Sequence, residues 1–178
     1  TVKRGDRTIL RQLFFQLREG EVLSVVGPNG SGKSTLLKAL TGELAIHRGQ
    51  IRLRGKALPE HAKDLRALAR WRAVLPQENE LSFNFPVMDV VMMGRWPHLR
   101  GGPSARDYTI SEEALEAVDC LSLKERMYQH LSGGERRRVH LARVIAQLHD
   151  AMHAKEPALL FLDEPTANLD LKHQYGVI

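Results

Sequence analysis

The chain has 178 residues and a net charge of +5, with 43% hydrophobic and 26% charged residues, which is the composition of an ordinary globular domain. No apolar stretch approaches the roughly 18 residues that span a bilayer, and the first residues lack the apolar run of a signal peptide, so we expect the chain to stay in the cytoplasm unless a partner tethers it. The basic residues are spread thinly apart from the cluster Arg136, Arg137 and Arg138, which lacks the interleaved aromatics of a stacking platform. We interpret this cluster mainly as a solvated helix face, with direct contact to an anion as the alternative, and we expect no nucleic-acid partner.

The first half of the chain alternates strand and helix patterns. Residues 9–17 predict an edge strand, and the apolar run 22–26 predicts a buried central strand. Residues 51–55 alternate cleanly and predict a half-exposed strand that ends at a turn. Apolar residues at helical spacing in 65–69 predict a helix, and 73–75 predict a short strand that stops at Pro76. This alternation is typical of an α/β core.

A phosphate-binding pattern follows the predicted central strand. The segment matches G-x-x-x-x-G-K-[ST] and consists of Gly27, Pro28, Asn29, Gly30, Ser31, Gly32, Lys33, Ser34 and Thr35. Its glycines let backbone N–H groups point at phosphates, and the helix predicted to begin near Lys33 and to close at Gly42 adds its positive end. Lys33 would bind the β- and γ-phosphates, and the Ser34 hydroxyl would bind Mg²⁺. The alternative is a glycine-rich turn without a ligand.

The character of the sequence changes between residues 79 and 138, where strand patterns disappear. Thr109 with Glu112, and Ser122 with Glu125, have the spacing of a capping box, so each pair predicts the start of an amphipathic helix. We interpret 79–138 as a helical subdomain inserted into an α/β core formed by 1–78 and 139–178. The core resumes with a helical stripe, Leu141, Val144, Ile145 and Leu148.

A buried strand predicted at residues 158–162 ends in Asp163 and Glu164. Carboxylates at the carboxyl end of a parallel strand lie where α/β proteins bind ligands. Asp163 would hold Mg²⁺, and Glu164 would orient or deprotonate the water that attacks the γ-phosphorus. The alternative is an ordinary acidic turn.

Between these segments lies Leu131-Ser132-Gly133-Gly134-Glu135, and with it the chain resembles the ATP-binding cassette family over almost its whole length. The resemblance implies a P-loop NTPase (RecA-like) core with a parallel sheet and the inserted helical subdomain. It assigns 27–35 as Walker A, Gln77 as the Q-loop glutamine, 131–135 as the signature motif, 159–163 as Walker B with catalytic Glu164, and 167–170 as the D-loop with Asp170.

The resemblance also implies partners. Two cassettes pack head to tail, so that Ser132 of one copy touches the γ-phosphate held by Lys33 of the other, and Asp170 lies across that interface. Gln77 senses the γ-phosphate directly or through Mg²⁺, while the helical subdomain docks on a membrane permease. Binding of ATP then closes the dimer and hydrolysis releases it.

Local segments resemble particular importers. Residues 85–98 are similar to cassettes that import iron chelates, haem and cobalamin, whereas 72–77, 141–148 and the long connection 148–156 are most similar to the haem branch. We therefore expect an ATPase subunit at the cytoplasmic face of the bacterial inner membrane, served indirectly by a periplasmic haem-binding protein. The alternatives are a siderophore or cobalamin cassette, a soluble DNA-repair cassette, whose long coiled coil is missing between Gln77 and Leu131, and a nucleotide-binding module without catalysis.

Two features depart from the family pattern. Residues 1–8 contain no aromatic side chain to stack on adenine, and the chain ends at Ile178, before the switch histidine and the last core strands of the family. We expect a truncated cassette with slow ATP turnover. The spacing of His149 and His153 would also allow a metal site on a helix, although we favour a polar surface there, and His98 is expected either to contact the permease or to pack its loop.

Overall fold

The computed structural model describes residues 1–4, 7–58, 62–76, 81 and 84–163. The chain divides into two compact units, Thr1–Leu65 and Arg66–Ile178. None of the helices in the described ranges is both long enough and apolar enough to cross a bilayer.

In its described residues the first unit contains two small antiparallel ribbons, one whole helix and the start of a second helix. Strands β1 (Val2–Arg4) and β2 (Arg7–Leu10) pair with each other, and the helix α1 covers Lys33–Leu40. Strands β3 (Arg52–Leu53) and β4 (Lys56–Ala57) form a hairpin whose two-residue turn has positive φ at both positions, 51° at Arg54 and 74° at Gly55. Positive φ at both positions gives the turn the twist that suits a tight hairpin. The predictions of α1 and of a strand and turn near 51–55 are thus confirmed.

Two strand predictions in this unit are wrong. The edge strand predicted at 9–17 is limited to β2, and residues 22–26 form no strand, with Val22 and Val26 87% and 93% exposed. A strand requires a partner for its backbone N–H and C=O groups, and no strand of the described residues pairs with 22–26. The apolar composition of 22–26 indicated a segment that needs a packing partner, but it could not show which element would supply one.

The second unit combines a parallel strand pair with packed helices. The helix α2 covers Ala62–Leu68, so it begins in the first unit and ends in the second. It is followed by β5 (Arg72–Leu75) and the helices α3 (Val87–Met92), α4 (Ala105–Glu116) and α5 (Gly133–His153). Strand β6 (Leu159–Leu162) pairs in parallel with β5, Arg72 opposite Leu159 and Leu75 opposite Leu162. The parallel pairing and the absence of strands from the described residues between 84 and 138 agree with the predictions.

The core of this unit lies where α3, α4 and α5 meet. Its fully buried side chains include Val87, Val90, Val91, Leu115, Val139 and Ala142. A second cluster joins Ala73 and Leu75 of β5 to Val144 and Leu148 of α5, which confirms the predicted helical stripe. The helix that follows the signature segment therefore supports both the helical layer and the parallel strands. The proposed division into 1–78, 79–138 and 139–178 remains a prediction.

Three local predictions in this unit are wrong. Helix α4 begins at Ala105, because Ser104 and Asp107 form the capping box, while the hydroxyl of Thr109 lies inside the helix and donates to the Ala105 carbonyl. Near Ser122 there is only a short 3₁₀ turn, Leu121–Leu123, too short for a capped α-helix. Strand β6 is not buried on both faces, since Leu160 is 39% exposed and β5 is its only partner strand among the described residues.

Candidate nucleotide-binding site

The loop 27–35 has a backbone that leaves amide donors available at the start of α1. Gly30 and Gly32 adopt left-handed conformations, with φ of 80° and 98°, and Gly32 is the residue that caps the helix. Gly32 offers no side chain to the helix amides, and the Leu36 N–H is the first to reach an intrahelical carbonyl, that of Gly32, at 2.8 Å. The N–H groups of residues 33–35 therefore have no intrahelical acceptor, which is the arrangement that binds phosphate.

The side chain of Lys33 folds back over this loop. Its ammonium group donates to the carbonyl oxygens of Gly27 at 2.8 Å and Pro28 at 3.0 Å. Neutral carbonyls are weaker partners for a cation than phosphate oxygens, so a phosphate chain can replace them. The loop, the open amides and the cation together fit a polyphosphate.

The signature segment forms a second helix start with a different arrangement. Ser132 caps α5, and its N–H and hydroxyl each donate to Glu135 Oε2 at 2.7 Å. These hydrogen bonds lower the pKa of Glu135, first through the backbone N–H of Ser132 and then through its hydroxyl. Helix α5 thus begins directly after Ser132. The Glu135 carboxylate occupies the donors of Ser132, the residue that the resemblance places at a γ-phosphate.

Asp163 follows β6 at the carboxyl end of the parallel pair. Its N–H donates to the Leu75 carbonyl at 3.0 Å, and its own carbonyl accepts a hydrogen bond from Arg137 of α5 at 3.1 Å. The structure thus connects the signature helix with the end of the Walker B strand. Ser34 belongs to the other unit, so the magnesium site shared by Ser34 and Asp163 remains a prediction. Gln77, Glu164 and Asp170 lie outside the described residues, and their roles remain predictions as well.

The structure contains an ion cluster that the sequence analysis did not find. Arg95 is 1% exposed, and its guanidinium reaches Asp107 at 3.1 Å, Asp150 at 2.7 Å and the Ala146 carbonyl at 2.8 Å. Arg106 adds a second cation to Asp150 at 2.6 Å. A cavity of about 420 Å³ opens beside the cluster, and its lining includes Arg70, Arg95, His98, Arg100 and Arg106. In the sequence, the one clue to this ion cluster was that Arg95 lies within 85–98, a segment that we interpreted by resemblance alone.

His98 packs onto α5. Its Nε2 donates to the Gln147 carbonyl at 2.8 Å, and its Nδ1 lies 3.0 Å from Asp150. Burial lowers the pKa of His98, and this effect outweighs the hydrogen bond to Gln147. These contacts fit the second of the two roles expected for His98, which is to pack its own loop. His149 and His153 stack with ring centroids 3.8 Å apart, and no group of three or more ligand side chains among the described residues could hold a metal ion.

Comparison with protein families matches the chain to the ABC transporter model over residues 10–167. The hemin import ATP-binding protein HmuV of Gloeobacter violaceus is 50% identical over 99% of this chain, and the chain covers 63% of that relative. The protein of the same name from Pseudomonas putida is 50% identical over 98% of the chain, which covers 66% of it. The chain thus spans slightly less than two thirds of the length of these relatives.

Solved structures show the same likeness. A metal-chelate type ABC transporter in an inward-facing conformation is similar with a TM-score of 0.73 and 34% identity, over 93% of this chain and 58% of that chain. The cbiO1 protein of Clostridium perfringens, part of the ABC transporter complex cbiONQ, is similar with a TM-score of 0.72 and 29% identity, over 92% and 61%. These similarities confirm the predicted α/β class of P-loop NTPase fold.

Proposed function

The chain belongs to the ABC transporter family, and from that premise we propose that it is the ATP-binding and ATP-hydrolysing subunit of a bacterial haem importer. The observation that carries the proposal is the loop 27–35, whose open helix amides and adjacent ammonium group suit the phosphates of a nucleotide. The relatives named for hemin import support the cargo.

The loop binds the triphosphate in this proposal. The amides of 33–35 take phosphate oxygens, and Lys33 exchanges its two carbonyl partners for the β- and γ-phosphates. Mg²⁺ would be held by Ser34, Gln77 and Asp163, and it would neutralise charge on the transferred phosphoryl group. Glu164 accepts the proton of the attacking water, so Lys33, Gln77 and Glu164 form the hydrolytic set.

Two copies of the cassette share each nucleotide in this proposal. The signature motif 131–135 of one copy binds the γ-phosphate held by the other, and Asp170 couples the two sites. The start of α5 supports this role, since it carries Ser132 donors at a helix of 21 residues. Glu135 must release those donors before phosphate can take them, because a carboxylate and a phosphate compete for the same N–H group.

The remaining partners follow from the importer assignment. We propose that the cassette lies peripherally at the cytoplasmic face of the inner membrane, bound to permease subunits and served indirectly by a periplasmic haem-binding protein. The metal-chelate type transporter is 34% identical to this chain and favours a second candidate cargo, a metal chelate, of which a ferric siderophore is one example.

Substitution of Glu164 tests the proposal. In the full-length protein, Glu164→Gln should slow phosphate release at least a hundredfold and leave ATP binding and ATP-dependent dimerisation in place, because the amide keeps the shape and loses the base. Unchanged phosphate release would refute the catalytic assignment. Proteoliposomes with the permease should then take up haem on addition of ATP. Uptake of a ferric siderophore or of cobalamin in place of haem would reassign the cargo.

A further inference from the structure

Arg137 links the signature helix to the end of the Walker B strand. It follows the cap residue Ser132 by little more than one turn, and only 5% of its surface is exposed. Its Nη2 donates to the carbonyl oxygen of Asp163 at 3.1 Å. Because α5 is one continuous helix from Gly133 to His153, the guanidinium moves together with the signature residues.

The hydrogen bond from Arg137 completes the support of Asp163. The Asp163 N–H is held by the Leu75 carbonyl at 3.0 Å, and the Asp163 carbonyl is held by Arg137. That carbonyl belongs to the peptide unit that joins Asp163 to Glu164, and a peptide unit is planar. A charged donor on its oxygen therefore fixes the plane of the unit between the two carboxylate residues.

We propose that Arg137 is a positioning residue that couples the signature motif to the hydrolytic carboxylates of its own subunit. The inference rests on the function proposed above. Arg137 holds the peptide plane of Asp163 in this structure, so any shift of α5 when its start binds phosphate on the opposite copy is passed on to Asp163. Lys33 and the amides of 33–35 take no part in this hydrogen bond, so loss of Arg137 should lower turnover far more than nucleotide affinity.

Arg137→Met and Arg137→Lys in the full-length protein test this role. The methionine keeps much of the apolar stem and removes every donor, whereas the lysine keeps a charged donor. The matched control is Arg136→Met, which removes the same charge from the neighbouring position, where the guanidinium donates to the Gln129 carbonyl at 2.8 Å. Steady-state hydrolysis, ATP affinity measured with a fluorescent ATP analogue, and the thermal midpoint are recorded for each variant.

The expected result is a split between kcat and affinity. Arg137→Met should lower kcat about tenfold, which is the effect of losing one charged hydrogen bond, with the Kd for ATP within about twofold of wild type. Arg137→Lys should recover part of the loss, and Arg136→Met should keep kcat within about twofold. The proposal is overturned if Arg137→Met leaves kcat unchanged, or if kcat, affinity and thermal midpoint all fall together.

Glu164→Gln measured beside these variants separates the two proposals. If wild-type protein hydrolyses ATP and Glu164→Gln does not, the ATPase assignment stands, and an unaffected Arg137→Met refutes the positioning role alone. If Glu164→Gln hydrolyses ATP like wild type, the catalytic assignment fails, and the coupling to that carboxylate fails with it.

Discussion

Replacing Gly94 by alanine tests how closely the 3₁₀ turn Met93–Arg95 packs against α5. A Cβ at Gly94 would lie far inside van der Waals contact with the carbonyl oxygen of Arg143, and 3.2 Å from the backbone nitrogen of Gln147. Both neighbours are backbone atoms, so no side chain can rotate to make room. The turn must therefore move away from the helix by on the order of 1 Å, because cores are close-packed.

The cost of that movement follows from the hydrogen bonds that depend on the close approach. Arg95 donates to the Ala146 carbonyl at 2.8 Å and to Asp150 at 2.7 Å, and His98 donates to the Gln147 carbonyl at 2.8 Å. Weakening two of these three bonds costs about 1 kcal/mol each, and overpacking adds about 1–3 kcal/mol. We expect Gly94→Ala to lower the free energy of unfolding by about 3–5 kcal/mol.

Urea unfolding monitored by tryptophan fluorescence measures this change, since Trp96 directly follows the turn. The matched control is Gly102→Ala, because a Cβ at Gly102 meets no atom within 4 Å. The control should stay within about 0.5 kcal/mol of wild type. If Gly94→Ala is also within about 1 kcal/mol of wild type, with the same denaturant slope, the close packing of the turn on α5 is wrong.

Three further predictions concern charges and caps. Asp150→Asn should lower the free energy of unfolding by about 2 kcal/mol at pH 7, because hydrogen bonds from Arg95 and Arg106 outweigh burial and hold the pKa of Asp150 well below its ordinary value. Because the pKa of Asp150 is lower in the folded state, its carboxylate stabilises the fold at pH values above the unfolded pKa of 3.8, and this stabilisation is lost as the pH falls. The difference in unfolding free energy between Asp150→Asn and wild type should therefore narrow below about pH 4 in urea titrations. A difference independent of pH would contradict this account. Glu135→Gln should tighten ATP-dependent dimerisation about fivefold in light scattering, because it removes about 1 kcal/mol of like-charge repulsion; weaker dimerisation would refute the competition for the Ser132 donors. Ser104→Ala should cost about 1 kcal/mol in urea unfolding through loss of the α4 cap, whereas Thr109→Ala should be nearly neutral, and equal effects would contradict the observed helix start.

The sequence predicted those elements whose signals are both local and specific. Several independent signals agree for these elements: the motif and glycines of 27–35, the predicted start and end of α1, and the helical periodicity of α5. The structure has a loop and two helices at these positions. The capping-box spacing was less informative. It selected Thr109 and Ser122, whereas the structure uses Ser104 and Ser132. The same spacing occurs within helices and turns, so only packing decides which polar residue lies at a helix start.

The features that the sequence could not predict depend on distant residues. The exposed run 22–26 reads as a buried strand because composition alone cannot show whether another strand pairs with it. Arg95 contacts Asp107 and Asp150, which lie 12 and 55 positions away along the chain. Arg137 was interpreted as part of a solvated helix face, yet it is buried against Asp163. Charged residues in these contacts look like surface residues until the tertiary structure brings their partners together.

Calorimetric titration of the full-length protein with ATP in the presence of Mg²⁺ tests the central claim most directly. The claim is that the loop 27–35 binds a nucleoside triphosphate through the α1 amides and Lys33. We expect saturable heat from wild type, with affinity reduced at least tenfold in Lys33→Ala, because the cation that faces the β- and γ-phosphates is lost. A folded wild-type protein that gives no heat with ATP, or a Lys33→Ala variant that binds ATP as tightly as wild type, would contradict the claim.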